Sequence, residues 1–172
     1  MNRSAPLELR TPRLRLRRAE PGDLEALHAI LSDTRAMRYW SSPPHQDIAQ
    51  TRAWLDDMIA AEDSDDFIVE LGGRLIGKAG CWRLPEIGYI LRPDAWGQGF
   101  ATEALTAAIA HIFSAHDLDA ITADVDPRNT ASLRLLARLG FAETGRASAT
   151  WEIAGEVCDS VYLALARAAF RT

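Results

Sequence analysis

Leucine and arginine alternate over residues 13–18 (RLRLRR). This period of two predicts a strand with Leu14 and Leu16 on its buried face and solvated arginines on the other. Pro21-Gly22-Asp23 then opens a helix carrying Leu24, Leu27, Ile30 and Leu31. Beyond the break at Ser41-Ser42-Pro43-Pro44, Ile48, Trp54, Leu55, Met58 and Ile59 form the apolar stripe of a second helix over about 47–61. Residues 67–71, the Gly72-Gly73 pair and residues 75–82 predict a hairpin. Residues 86–92 (EIGYILR) form a further strand, stopped by Pro93. An alanine-rich helix over 97–115 follows, then a strand at 121–125 and a helix at 129–139. A strand from Phe141 onward pairs with a last strand at 157–166. The order β α α β β β α β α β β predicts one α/β (α+β) domain over 1–172, with a mixed sheet of about seven strands and helices on both faces. The strand–helix–strand unit over 86–125 is expected to be parallel and right-handed.

Composition narrows the function. The 172 residues, 48% of them hydrophobic, suffice for one domain with a substantial core. Nineteen Lys plus Arg against twenty-four Asp plus Glu give a net charge of −5, which argues against a nucleic-acid partner. The longest apolar stretch, 104–113, is interrupted by Thr106 and His111 and falls far short of the roughly 20 residues of a membrane span. The basic N-terminus lacks the apolar core of a secretory signal. Cys81 and Cys158 form no CxxC pair, so a reduced, cytoplasmic location is expected.

The strongest chemical signal is RPDAWGQGFATEA over 92–104, where a strand ends, a glycine-rich turn follows and a helix begins at once. Glycines expose consecutive N–H groups, and a helix start adds unpaired amides and partial positive charge, which together suit a pyrophosphate. Gly97-x-Gly99 lacks the third glycine of a dinucleotide fingerprint. Gly72 through Lys78 imitates a P-loop, but Ala79 stands where a Ser or Thr would hold magnesium, and a strand follows. In DPRNTASLRLLARLGF over 126–141, Asn129 is a good N-cap and Ser132 lies in the first helical turn. His28, His45, His111 and His116 show no metal-ligand spacing, and no G-x-S-x-G elbow is present, so neither a metal nor a serine nucleophile is expected.

Taken together, LRTPRLRLRRAEPGDLEAL, GGRLIGKAG, EIGYILRPDAWGQGFATEAL, NTASLRLLARLGF and the last strand resemble the GCN5-related N-acetyltransferase superfamily, and within it the ribosomal-protein alanine acetyltransferase-like branch. The similarity runs through nearly the whole chain. The family's Q/R-x-x-G-x-G/A loop falls on Trp96 to Ala101, with Trp96 at its first position. The resemblance implies a mainly antiparallel sheet with a parallel βαβ unit that binds acetyl-CoA as cosubstrate. It implies that the amides of Gly97, Gln98, Gly99, Phe100, Ala101 and Thr102 cradle the pyrophosphate. It further implies that the strand edge at Ile90 and Leu91 pairs with the pantetheine arm, that Asn129 bonds that arm, and that Ser132 approaches the thioester sulfur.

The expected chemistry is direct transfer to an amine. An amine with a pKa of about 8–10 is mostly protonated at neutral pH and must lose a proton before or during attack. The resemblance implies Glu86 as base, directly or through water, and Ser132 as general acid to the leaving thiolate. The tyrosine that the family often carries in the last helix is absent, since Leu135, Leu136 and Leu139 stand there. The resemblance also implies a base in the strand after the last helix, for which Glu152 is a reserve candidate out of register, with Trp151 nearer the expected place. Trp40, Tyr39 and Trp82 are candidate walls of an acceptor groove. The resemblance implies a protein N-terminus or a small-molecule amine as acceptor, and the net negative charge favours a cationic one. A non-catalytic acyl-CoA-binding domain and a transferase of longer acyl chains are the alternatives. No nucleic-acid or membrane partner is expected, and the chain is a monomer or a homodimer built on an exposed last strand.

Overall fold

A computed structural model describes residues 7–61 and 63–171. Strand β1 (Glu8–Arg10) pairs antiparallel with β2 (Leu14–Arg17) across a turn closed by Thr11, whose hydroxyl accepts from the Leu14 amide at 2.8 Å. Leu14 and Leu16 are buried as the alternation requires. The opposite face departs from expectation. Arg17 is only 11% exposed and reaches Asp23 at 2.7 Å and Glu70 at 2.8 Å, so it is embedded in an ion-pair network rather than solvated. Pairing with β1 and β3 (Asp65–Leu71) places Glu8 opposite Arg17 and Glu70 opposite Arg15, which brings opposite charges together across the sheet.

Helices α1 (Leu24–Leu31) and α2 (Ile48–Ala60) precede β3, which forms the expected hairpin with β4 (Arg74–Arg83). Then come β5 (Glu86–Leu91), α3 (Phe100–Ala115), β6 (Ala120–Val125), α4 (Thr130–Arg138), β7 (Ala142–Ile153) and β8 (Glu156–Ala166). The eight strands form one sheet in the order β1-β2-β3-β4-β5-β6-β8-β7, antiparallel except where β5 meets β6. The eighth strand is β1, three residues long and too short to show a period. Ala104, Leu105, Ala108, Ile109 and Ile112 of α3 pack on one face against Leu16, Phe67, Ile76 and Ile121. On the other face Leu27, Ile30, Leu55 and Met58 from α1 and α2 pack against Ile68, Leu75 and Ile90.

Two further corrections concern the ends of elements. The last strand, expected at an exposed edge, is interior: β8 pairs with β6 on one side and β7 on the other, and β7 is the edge. The hairpin folds so that its second strand inserts beside β6. The long helix begins at Phe100, leaving Gly97 to Gly99 as a turn with both glycines at positive φ. Among the described residues no helix is long and apolar enough to cross a membrane.

Candidate active site

Strands β5 and β6 are parallel but pair at a single position, Glu86 opposite Thr122, where the Thr122 amide donates to the Pro85 carbonyl at 2.9 Å. No other rung joins the described residues of the two strands, and the sheet opens there into a wedge occupied by an open cleft of about 780 Å³. Main-chain direction alternates along β5. The Arg92 amide donates to the Ile76 carbonyl at 2.8 Å and Ile90 stands opposite Lys78, so Ile90 turns its main-chain groups to β4. Tyr89 and Leu91 present theirs to the gap. Of the two residues expected to pair with a pantetheine arm, Leu91 therefore lies on the free edge and Ile90 does not. The Leu91 carbonyl also accepts from the Trp96 indole at 2.9 Å, which ties the glycine turn to the end of β5.

Gly97 and Gly99 have φ of +71° and +82°, a region that a side chain disfavours, and a Cβ at Gly97 would meet nothing within 4 Å. No side chain caps α3. The amides of Gly97, Gln98, Gly99, Phe100, Ala101 and Thr102 donate to no protein acceptor among the described residues. Six unpartnered donors at the start of a sixteen-residue helix fit a diphosphate. The turn is braced from behind. The Arg13 guanidinium donates to the Gln98 carbonyl at 3.0 Å and to Glu103 at 2.7 Å, and lies 4.4 Å from the Phe100 ring centroid. Partial burial opposes ionisation of Glu103, but the Thr11 hydroxyl and Arg13 outweigh it and hold that carboxyl below its ordinary range.

Helix α4 closes the wedge. Asn129 caps it, its Oδ1 accepting from the Ser132 amide at 3.2 Å, while its side-chain NH2 has no partner among the described residues. Ser132 Oγ lies 2.7 Å from the Tyr89 hydroxyl. Asn129, Ser132, Tyr89 and Glu86 all line the same cleft, joined by Trp40, Tyr39 and Trp82 from the acceptor-side expectations. Glu86 is exposed at the lip, yet desolvation by the surrounding protein, reinforced by Asp124, raises its carboxyl above the ordinary value. Trp151 and Ile153 line the cleft, so strand alternation turns Glu152 to the other face.

Three features escaped the sequence. Tyr89 lies on the strand face opposite Gly88 and Ile90, where an alternating EIGYIL segment gives it no distinction from a core aromatic. Trp54, one more residue of an apolar stripe, is a cleft wall. Lys78 and Asp66 are buried and ion-paired beneath Trp40 and Trp54, the Lys78 nitrogen lying 5.4 Å and 5.8 Å from the two indoles. Asp66 Oδ1 is left buried without a partner among the described residues. The available signal was Lys78, the one charge within the otherwise apolar 75–82 segment, while Asp66 stands just before the strand expected at 67–71. Buried Cys81 is inert, since desolvation, aided by Asp66 and Asp65, pushes its thiol up to about 12. Among the described residues no group of three or more His, Cys, Asp or Glu is placed to hold a metal ion.

Comparison with known proteins agrees with this geometry. The model of an acetyltransferase (GNAT) domain matches residues 13–142. The chain is 34% identical over 148 residues to an uncharacterized N-acetyltransferase, p20, of Bacillus licheniformis, covering 80% of this chain and 83% of that one. It is 39% identical over 79 residues to the ribosomal protein uS5-alanine N-acetyltransferase of Escherichia coli (strain K12), covering 46% of this chain and 41% of that one. The crystal structure of spermidine N-acetyltransferase from Vibrio cholerae, in complex with CoA and spermine, superposes with a TM-score of 0.77 at 24% identity and covers 92% of this chain and 98% of that one. Acetyl-CoA is the cosubstrate of this family, and the split sheet with its amide-lined turn has the form to take it. The chain belongs to the GNAT acetyltransferase family, with the alanine acetyltransferases of ribosomal proteins among its relatives.

Proposed function

We propose that this chain transfers the acetyl group of acetyl-CoA directly to a primary amine of a cationic acceptor in the cytoplasm. The observation that carries this reading is the row of six free amides from Gly97 to Thr102, set beside a strand edge with unpaired main-chain groups. These groups bind the two parts of CoA that need no side-chain recognition, the diphosphate and the pantetheine amides. The Asn129 NH2 bonds the pantetheine arm, and Ser132 gives a proton to the departing thiolate. Glu86 accepts the proton of the amine, directly or through water. Its raised pKa brings it closer to the working pH, as a base requires.

The acceptor reading rests on charge. Asp57, Asp66, Glu86, Asp124, Asp126, Glu156 and Asp159 face the cleft against Arg38, Lys78 and Arg83. Arg128 pairs with both Asp126 and Glu156, offsetting one of their two charges, and Lys78 offsets Asp66, which leaves carboxylates in excess over indole walls. Such a site draws an ammonium. Both a polyamine and a peptide N-terminus fit that description, in line with the substrates named for the relatives.

Calorimetry with CoA tests the cosubstrate site, and thiol release with spermidine, short peptides and aminoglycosides tests the transfer. Asn129→Ala is expected to weaken acetyl-CoA binding about tenfold, the loss of one good hydrogen bond. Ser132→Ala is expected to lower turnover with little change in binding. Heat with CoA but no thiol release on any amine would favour a binding domain without catalysis. Absence of heat in the wild-type protein would overturn the whole reading.

A further inference from the structure

The 2.7 Å contact between Tyr89 Oη and Ser132 Oγ joins two elements whose residues lie 43 apart in sequence, across the gap where β5 and β6 separate. Both hydroxyls line the cleft. A phenol is a far stronger acid than a primary alcohol, so the favoured arrangement has Tyr89 donating and Ser132 accepting. That arrangement turns the serine's own proton away from the ring and toward the open cleft. Tyr89 is locked in place. Its ring packs against the core on the α3 face and it stands opposite Ala79 of β4; burial pushes the phenol's pKa up, opposed in part by the hydrogen bond to Ser132 and the field of Arg138 of α4.

From this contact we infer that Tyr89 is a positioning residue for thiolate departure, holding Ser132 with its proton directed at the sulfur and replacing that proton as it leaves. The inference rests on the acetyl-CoA reading above. In the step, the amine nitrogen forms a bond to the acetyl carbon and the carbon–sulfur bond breaks with its electron pair remaining on sulfur. Ser132 Oγ–H passes its proton to that sulfur. Tyr89 Oη–H passes its proton to Ser132, and solvent reprotonates the phenolate. The amine's surplus proton goes to solvent through Glu86 or water, so one amine and one thioester yield one amide and one thiol.

Two measurements test this on the intact protein. The first needs no acceptor: CoA is bound in its thiol form and the ionisation of the sulfur is followed by thiolate absorbance. In Tyr89→Phe the bound thiol is expected to need about a tenfold lower proton concentration to ionise than in the wild type, because one aligned donor to the thiolate is lost. Ser132→Ala is expected to show the same change, and the double variant no more than either single one. The second uses thiol release with spermidine and an N-terminal alanine peptide as probes. There Tyr89→Phe should lower kcat about tenfold, a fraction of what general acid catalysis supplies, with KM for acetyl-CoA unchanged. It should cost nothing further in the Ser132→Ala background. Phenylalanine preserves the packed ring, so the melting temperature serves as the control for folding. Wild-type thiol ionisation retained in Tyr89→Phe, or an additive loss in the double variant, would overturn the inference while leaving the acetyl-CoA site intact. Failure of the wild-type protein to bind CoA would instead overturn the reading beneath it, and this inference with it.

Discussion

Glu86 and Glu103 show how surroundings divide the work between two like side chains. Glu103 sits behind the glycine turn with Thr11 and Arg13 on its oxygens, and it is held ionised as a strut. Glu86 has no cationic partner among the described residues, and desolvation together with Asp124 raises its carboxyl above the ordinary 4.5. The sign of its effect follows. Protonated Glu86 is favoured by the fold, so its contribution to stability is complete below the unfolded value and is lost as pH rises through the raised folded one. Catalysis runs the other way, because a base must be unprotonated. Acetyl transfer is therefore expected to gain an acid limb above pH 4.5, distinct from the limb set by the amine itself at about 8–10. In Glu86→Gln that lower limb should vanish and the rate fall about a hundredfold, at the low end of general base contributions. A pH–rate profile of kcat/KM across both ranges decides it. A limb that survives in Glu86→Gln would assign the proton transfer to another group.

Among elements, the turn before α3 depends on a residue far from it. Arg13 leaves β2's flank to hold the Gln98 carbonyl and Glu103, and its guanidinium covers Phe100. It touches the back of the turn, leaving the amides free at the front. Arg13→Ala is thus expected to raise the Kd for CoA by about three- to tenfold, in keeping with the roughly 1 kcal/mol of a half-exposed ion pair, and to leave kcat unchanged. Titration calorimetry and steady-state rates together check this, and a fall in kcat at unchanged Kd would contradict it. The turn itself was legible from the chain, because glycines, strand end and helix start are local signals within residues 92–104. So were α3, α4 and the β3–β4 hairpin, each long enough to show its period. What brings Arg13 to Glu103, Tyr89 to Ser132 or Arg17 to Glu70 is the order of strands in the sheet. Partners dozens of residues apart leave no periodic trace, so the brace, the hydroxyl pair and the ion network were not legible. The alternation that turns Ile90 away from the gap was readable in principle, but only after the pairing of β5 with β4 had fixed which edge was free.

For the whole molecule, the sheet has two unlike faces, and the cleft opens where its continuity fails. One face is closed by α3 with an apolar core, to which Leu136 of α4 adds. The other is covered by α1 and α2, and there the layer holds the charged pair Lys78–Asp66 under Trp40 and Trp54. A buried pair of this kind contributes little net stability when intact, since desolvation offsets the attraction, but removing one partner strands the other. Asp66 already has one oxygen without a hydrogen bond, which makes it the more vulnerable member. Lys78→Met is expected to destabilise the protein by roughly 3–5 kcal/mol, the usual result of leaving a single buried charge. At roughly 2–4 °C per kcal/mol for a chain of this length, that is a fall in Tm on the order of 10 °C. Lys78→Met combined with Asp66→Leu should recover most of the loss, because neither charge then needs to be desolvated. Because the pair also forms the floor of the acceptor cleft, the double variant separates two roles. Restored stability with a raised KM for the amine and an unchanged Kd for CoA would assign the pair to acceptor binding. Restored stability with unchanged kinetics would assign it to the packing of α1 and α2 on the sheet. A double variant no more stable than Lys78→Met would contradict the electrostatic account, and thermal unfolding at neutral pH distinguishes the cases.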